Sequence, residues 1–552
     1  CNYLQCILSI FLHSTGTPQK VIEVLAHAGF SISVTTIHHA INSMSHEISS
    51  RIKQAVRSLQ SAFAYDNFDI NFKTAQPTIE RQSTFVSATS ATIVPISGVT
   101  DPATLKCSVE LWKHDSLNLE ATDPATMKIK QSTTDGNMEV MENLLWQGGI
   151  GDPKDEGFDP VHDVDMSEYV LFVHGDLLTK ERLDTVRRSR RIENTPKNRF
   201  QYIIFLPGLF HYKMACADAI WRAYIQPKDS RSDPNSLYEH IGCLQPKEAL
   251  KFISKPGFRR VHEVIHHDLM ISMLDCWRVE AKKKNVQITT LELFASSQPT
   301  WDDLIQMSYD IVANYVVAGS NLRQARSKPV DERDKQFENQ ILWNRDELLY
   351  VDLCQVMNSG DIGCVEASFL PWIYIFAAVG KHKYAAQIAK FTSDLQYKWP
   401  KDLSHLIRLN LLCNPTGRPG AWRAVDWLVK QNNLYMKVIF SGSGPNHSIN
   451  YIIKQSPLIE VYRHCHVVVE NAFHLVRRTM RHSPPDMTKT IHKLMSWLHD
   501  TRPHKFTAGR SAHFIIEDKI AAGFHVTQKK GWMITPGEED EPVETTSADL
   551  VD

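Results

Sequence analysis

The sequence predicts an α/β protein: a mixed sheet laid down early in the chain, interrupted by a large, mostly helical insertion, with helical N- and C-terminal regions. Three observations carry this. Residues 61–112 switch to β-rich runs, at 61–72, 83–94 and 107–112. Two apolar runs, 169–174 and 201–206, flank a basic helical stretch at 180–191, the strand–helix–strand alternation of an α/β sheet. From Tyr212 to about Leu498, apolar residues recur mainly at helical spacing.

The chain has 552 residues, a length that sets a prior of roughly three or four units. A hydrophobic fraction of 43% with 22% charged residues can bury a large core, which excludes a wholly disordered, collagen-like or coiled-coil protein. Sixty-one basic against 62 acidic side chains leave a net charge of −1, so any polyanionic partner must be met by a local patch. Ten cysteines without a CxxC pair read as small buried hydrophobes in a reducing compartment. The longest apolar run, 369–380, falls short of the ~20 residues of a membrane span. The expectation is a protein of the nucleus or cytoplasm, neither secreted nor membrane-bound. A start at Cys1 rather than Met is expected of a fragment. Nothing fixes an oligomeric state.

Taken in order, residues 1–60 read as helical, with two short helices around a Gly29-Phe30-Ser31 turn. Ser33 is the expected N-cap of the second, which presents Thr35, Thr36, His38, His39 and Asn42. That is the outline of a helix-turn-helix, equally the outline of many helical hairpins that bind nothing. Residues 61–211 hold the core strands, with an acidic loop at 113–168. Seven carboxylates against Lys154 lie between 149 and 168, the composition of a solvated loop. Residues 212–357 form the helical insertion, because a segment this long needs a core of its own. Helices continue over 358–499, a C-terminal extension covers 500–535, and the acidic tail 536–552 is expected to be disordered.

The chemical signal is a set of acids at the ends of apolar strands. Asp66 interrupts a strand-like run at 62–69, where Asp is disfavoured. Asp176 ends the apolar run Val170–Gly175 just before a helix, the end of a parallel strand where functional residues gather. A late acid lies in the Gly360–Glu366 stretch, with Asp361 and Glu366 competing; Asp69 and Glu470 are reserves. Separated carboxylates suit two-metal phosphoryl transfer with Mg²⁺ or Mn²⁺, hard cations that prefer oxygen ligands. The plainer reading makes Asp176 a helix cap and Asp66 a turn residue. After Asp176 come Lys180, Arg182, Arg187, Arg188, Arg190 and Arg191; residues 180–199 carry a net charge of +5. This is either a phosphate contact or a solvated helix face. In the insertion, Arg222, Lys251, Lys255, Arg259 and Arg260 are further candidate backbone contacts, each also an ordinary surface base. His262-Glu263-Val264-Ile265-His266 matches the HExxH zinc pattern. Arg259 and Arg260 beside it oppose a cation, and its Val261, Ile265, Leu269, Met270 stripe reads more simply as packing.

Several blocks together resemble a known family. They are Tyr65-Asp66-Asn67-Phe68, Gly175–Arg182, Pro207-Gly208-Leu209-Phe210-His211, Gly360-Asp361-Ile362-Gly363, Asn414-Pro415-Thr416-Gly417 and Ala421-Trp422-Arg423. Over roughly residues 60–485 they resemble a large family of mushroom-forming fungi catalogued as a domain of unknown function. The block order is similar to that of transposases with a ribonuclease-H-like core and a helical insertion before the last acid. The resemblance implies a ribonuclease-H-like mixed sheet of five strands, DNA as partner and a nuclear location. It implies Asp66 as first-strand acid, Asp176 as fourth-strand acid and Glu366 as late helical acid, all three metal ligands for attack on a phosphodiester. A domesticated, inactive DNA-binding or scaffold copy is the alternative it leaves open. Pro371 puts the helix around Glu366 in doubt.

Overall fold

The computed structural model describes residues 2–74, 78–79, 82–113, 134–151, 164–316, 319–440, 448–475 and 486–530. The acidic tail and most of the acidic loop lie outside them.

Three helices open the chain: α1 (Tyr3–Ser14), α2 (Gln19–His27) and α3 (Val34–Arg57). Strands β1 (Ser61–Phe72) and β2 (Thr84–Pro95) follow, then helices α4 (Ser108–Lys113) and α5 (Thr134–Gln147). Next come β3 (Leu171–Gly175), α6 (Leu177–Ser189) and β4 (Ile203–Pro207). The helical part runs through α7 (Leu209–Tyr224), α8 (Leu237–Leu244), α9 (Phe258–Lys284), α10 (Leu291–Ser296), α11 (Trp301–Tyr315), α12 (Gly319–Arg326) and α13 (Lys335–Ser359). It continues with α14 (Ile362–Ala378), α15 (His382–Ser393), α16 (Lys401–Leu409), the two-residue strands β5 (Leu412–Cys413) and β6 (Arg423–Ala424), and α17 (Val425–Phe440). Helices α18 (Ile449–Gln455), α19 (Ile459–Ala472), α20 (Thr488–Thr501) and α21 (Lys519–Lys530) complete it.

The fold is mixed α/β with a small sheet. Its order is β2–β1–β3–β4, with β2 antiparallel to β1 and with β1, β3 and β4 mutually parallel. Leu171, Phe172 and Val173 of β3 are fully buried, as expected of a strand covered on both faces, which is why the run is uniformly apolar. On β1 the faces separate by alternation. Ala64 packs on Val425 and Val429 of α17, and Phe68 and Ile70 join Met436 and Phe440 of the same helix. Phe63 and Tyr65 enter the main core, which also holds residues of α5 and α6.

The strand expected at residues 107–112 is instead α4, so the described sheet has four strands, not five. The Ser108 amide donates to the Glu168 carbonyl at 3.1 Å and the Val170 amide to the Leu105 carbonyl at 2.9 Å. These ties fix the turn, and burial of Leu111 outweighs local strand preference. Pro371 sits inside α14. It removes one helical donor, and the burial of Phe369, Trp372, Ile373 and Phe376 holds the helix together.

Residues 209–357 contain helices and short turns and, among the described residues, no strand. Buried acids bind the C-terminal segment onto this part. Asp334 accepts from the Thr507 amide at 2.7 Å and takes both arms of Arg510 at 2.8 and 2.7 Å. Asp275 meets His504 Nδ1 at 2.7 Å, and His504 Nε2 meets Ser272 Oγ at 3.0 Å. That chain has the order of a hydrolase triad. However, Ser272 is wholly buried and its hydroxyl donates to Asn344 Oδ1 at 2.7 Å. It is a packing network.

Candidate functional site

The carboxyl ends of β3 and β4 meet where the Gly208 amide donates to the Gly175 carbonyl at 2.9 Å. Each strand turns directly into a helix. Asp176 caps α6, its carboxylate accepting from the Thr179 amide at 2.7 Å. Gly208 caps α7 without a side chain to offer. A Cβ there would collide with the Asp426 carboxylate and the Gly175 carbonyl. Asp426, from the first turn of α17, supplies the missing acceptors. It takes the Phe210 and His211 amides at 3.0 Å each and lies 2.8 Å from His211 Nδ1. Burial pushes the Asp426 carboxyl up, but His211 and the two amides outweigh it and hold it below the ordinary value. Beside it, His174 of β3 is buried and its Nε2 has no hydrogen bond among the described residues. Burial pushes its pKa down to about 4, against the pull of Asp426.

The expected acids are placed as follows. Asp66 lies on β1 and Asp176 directly after β3, and these strands are adjacent, since Ala64 of β1 pairs with His174 of β3. Their carboxylates serve different neighbours. Asp66 forms an ion pair with Lys430 of α17 at 2.7 Å. Asp176 is approached instead by Tyr65, whose hydroxyl is pushed up by burial and then by that carboxylate. Glu366 lies on α14 and is gripped by both arms of Arg408 of α16, at 2.7 and 3.0 Å. Among the described residues no hydrogen bond or ion pair joins Glu366 to either aspartate. Of the reserves, Asp69 is exposed on the other face of β1 and accepts from Ser87 Oγ at 2.6 Å. Asp361 caps α14 through the Cys364 amide at 3.0 Å, and Glu470 is buried in α19. As arranged, these acids do not fit a pair of divalent cations: an ammonium holds Asp66, a guanidinium holds Glu366, and Asp176 closes a helix.

A cleft with a cavity volume of about 80 Å³ opens beside Asp176, between β4, α6 and α15. Lys180, Arg187, His211, Lys390 and Lys398 line it. Burial pushes Lys180 down to about 8, with Asp184 opposing and Arg187 and Lys390 assisting. The other cations of the basic stretch divide by role. Arg187 donates to the Phe200 and Ile203 carbonyls, and Arg190 stacks over Phe200 with its guanidinium 5.1 Å from the ring centre. Arg188 and Arg191 are exposed and Arg182 is half-buried. In the insertion, Arg222 pairs with Asp218, Lys251 and Arg260 with Glu248, and Arg259 with Glu263; Lys255 is exposed.

At the N-terminus, Gly29 takes φ +79° in the turn between α2 and α3, a conformation that suits glycine. Ser33 caps α3 by accepting from the Thr36 amide at 3.3 Å. Ile7, Ile10, Ile22, Ile37 and Ile41 bind the three helices to one another and to Tyr462 and Val469 of α19. Thr35, Thr36, His39 and Asn42 remain exposed on α3, whereas His38 packs edge-on against His13.

The Gly360–Gly363 and Ala421–Arg423 blocks pack against each other. Gly360 ends α13 with φ +80° and lies against the Trp422 ring. The Trp422 amide donates to the Asn358 carbonyl at 3.1 Å, and Arg423 reaches Asn358 Oδ1 at 3.1 Å. Sequence reasoning missed Asp426, Lys430 and Arg408. The signal for Asp426 was Gly208 itself, a helix start that needs an acceptor from elsewhere.

Among the described residues no helix is long and apolar enough to cross a membrane. No curated protein and no solved structure matches the chain. Residues 118–482 match the model described as family of unknown function DUF6589; the chain belongs to that family.

Proposed function

We propose that this chain is a DNA-binding protein with a ribonuclease-H-like, transposase-derived architecture that acts without cutting its substrate. The strand order β2–β1–β3–β4, with β1 parallel to β3, supports the ribonuclease-H-like reading, as does the long helical stretch between β4 and α17. The observation that carries the absence of turnover is the Lys430–Asp66 ion pair. An ammonium occupies the carboxylate that a nuclease of this plan needs for a metal ion. For DNA, the exposed face of α3 is suited to a major groove, and Arg188 and Arg191 to the phosphate backbone.

Fluorescence anisotropy with duplex DNA over a range of salt concentrations tests this. The double variant Arg188→Glu/Arg191→Glu is expected to weaken binding about tenfold or more and to lower the salt slope by about 2. Asn42→Ala is expected to lower affinity with little change in slope. Unchanged affinity and slope in both variants would remove both surfaces from the interface.

A further inference from the structure

We propose that His262, His266 and Cys354 form a zinc site joining α9 to α13. The two histidines are one turn apart on α9 and the cysteine comes from α13; one ligand atom from each lies within 4.8 Å of the others. A tetrahedral zinc with bonds of about 2.0–2.3 Å sets its ligand atoms roughly 3.3–3.8 Å apart. Small rotamer adjustments close that gap. Two imidazoles and a thiolate form a nitrogen–sulfur set that suits Zn²⁺ better than Mg²⁺ or Ca²⁺.

The surroundings hold the ligands ready. The His262 ring stacks on Phe258 at 5.4 Å, and its Nδ1 lies 2.7 Å from the Tyr350 hydroxyl, one turn before Cys354. A partner on one imidazole nitrogen orients the other toward a metal. The two imidazole rings sit 4.3 Å apart. The adjacent arginines that would oppose a cation are compensated, Arg259 by Glu263 and Arg260 by Glu248.

This is not the metalloprotease arrangement that the HExxH spelling suggests. Glu263 sits at the surface, bound to Arg259 at 2.9 Å, and is not the base of a hydrolytic site. Three protein ligands leave a fourth position for water.

The test uses the full chain, stripped of metal and titrated with Zn²⁺ against a chromophoric chelator, then with Co²⁺ as a spectroscopic substitute. One equivalent is expected to bind, with a thiolate-to-cobalt charge-transfer band. Cys354→Ser is expected to lose the band and to weaken zinc binding at least about tenfold. His266→Gln is expected to weaken it similarly. Cys354→His, which restores a ligand, is expected to keep zinc but lose the band. Glu263→Gln and Cys364→Ser are expected to bind as the wild type does. No thiolate band in the wild type would overturn the proposal. So would a band and an affinity that survive in folded Cys354→Ser, or that are lost in Cys364→Ser.

Discussion

Replacing Asp426 by alanine is expected to destabilise the fold by about 3–5 kcal/mol, because it removes a buried carboxylate acceptor and strands several buried donors at once. The carboxylate is almost fully buried and receives the Phe210 amide, the His211 amide and the His211 ring. Without it, the first turn of α7 loses its acceptors at a place water does not reach, because Gly208 has no side chain to substitute. Helix α7 is buried along most of its length, so the loss spreads into the main core. Asp426→Asn keeps the shape and one acceptor, and should cost less. Denaturant unfolding followed by tryptophan fluorescence measures both. A cost below about 1 kcal/mol for the alanine variant would contradict the role given to Asp426.

A second large effect is acid sensitivity beginning near neutrality. His174 is held at about 4 in the folded protein against 6.5 when exposed. The unfolded chain therefore takes up a proton over that interval while the folded chain does not, and stability falls as pH drops from 6.5 toward 4. At about 1.4 kcal/mol per pH unit, the full interval corresponds to roughly 3 kcal/mol. Asp426, held below its ordinary value, adds a loss only at still lower pH, through the carboxylate range. His13, also pushed down to about 4 by burial and His38, contributes a slope of the same sign. The effect of His174 is isolated by comparing the wild type with His174→Leu at pH 7 and pH 5. The difference in unfolding free energy should shift by about 2 kcal/mol in favour of the variant. Parallel pH profiles would show that His174 is not buried in its neutral form.

Much of the architecture is legible in the sequence because it rests on local patterns. The runs at β3 and β4 are apolar in the way that covered strands require, β1 is rich in strand-forming residues, and Gly29 with Ser33 marks the α2–α3 turn. What escapes is what depends on distant pairs. Residues 107–112 have strand-like composition, yet backbone bonds to Glu168 and from Val170 bend them into a helical turn. The acids show the same division. Asp66 stands out within a strand-like run and Asp176 at the end of an apolar one, and β1 and β3 are neighbours. The partners that set their chemistry, Lys430 for Asp66 and Arg408 for Glu366, lie 364 and 42 residues away along the chain. No periodicity signals them. Asp426 sits among the apolar residues of α17 with no strand end beside it, so a search for acids at strand ends passes over it.

If the carboxylates are committed to the fold, as proposed, the chain binds DNA without cutting it. Nicking of supercoiled plasmid in Mg²⁺ or Mn²⁺ tests it most directly, with wild type, Asp66→Asn and Asp176→Asn side by side. No metal-dependent nicking above background is expected in any of the three, from protein that binds the same DNA. Nicking by the wild type that Asp176→Asn or Asp66→Asn abolishes would contradict it, and would mean that a metal displaces Lys430 from Asp66.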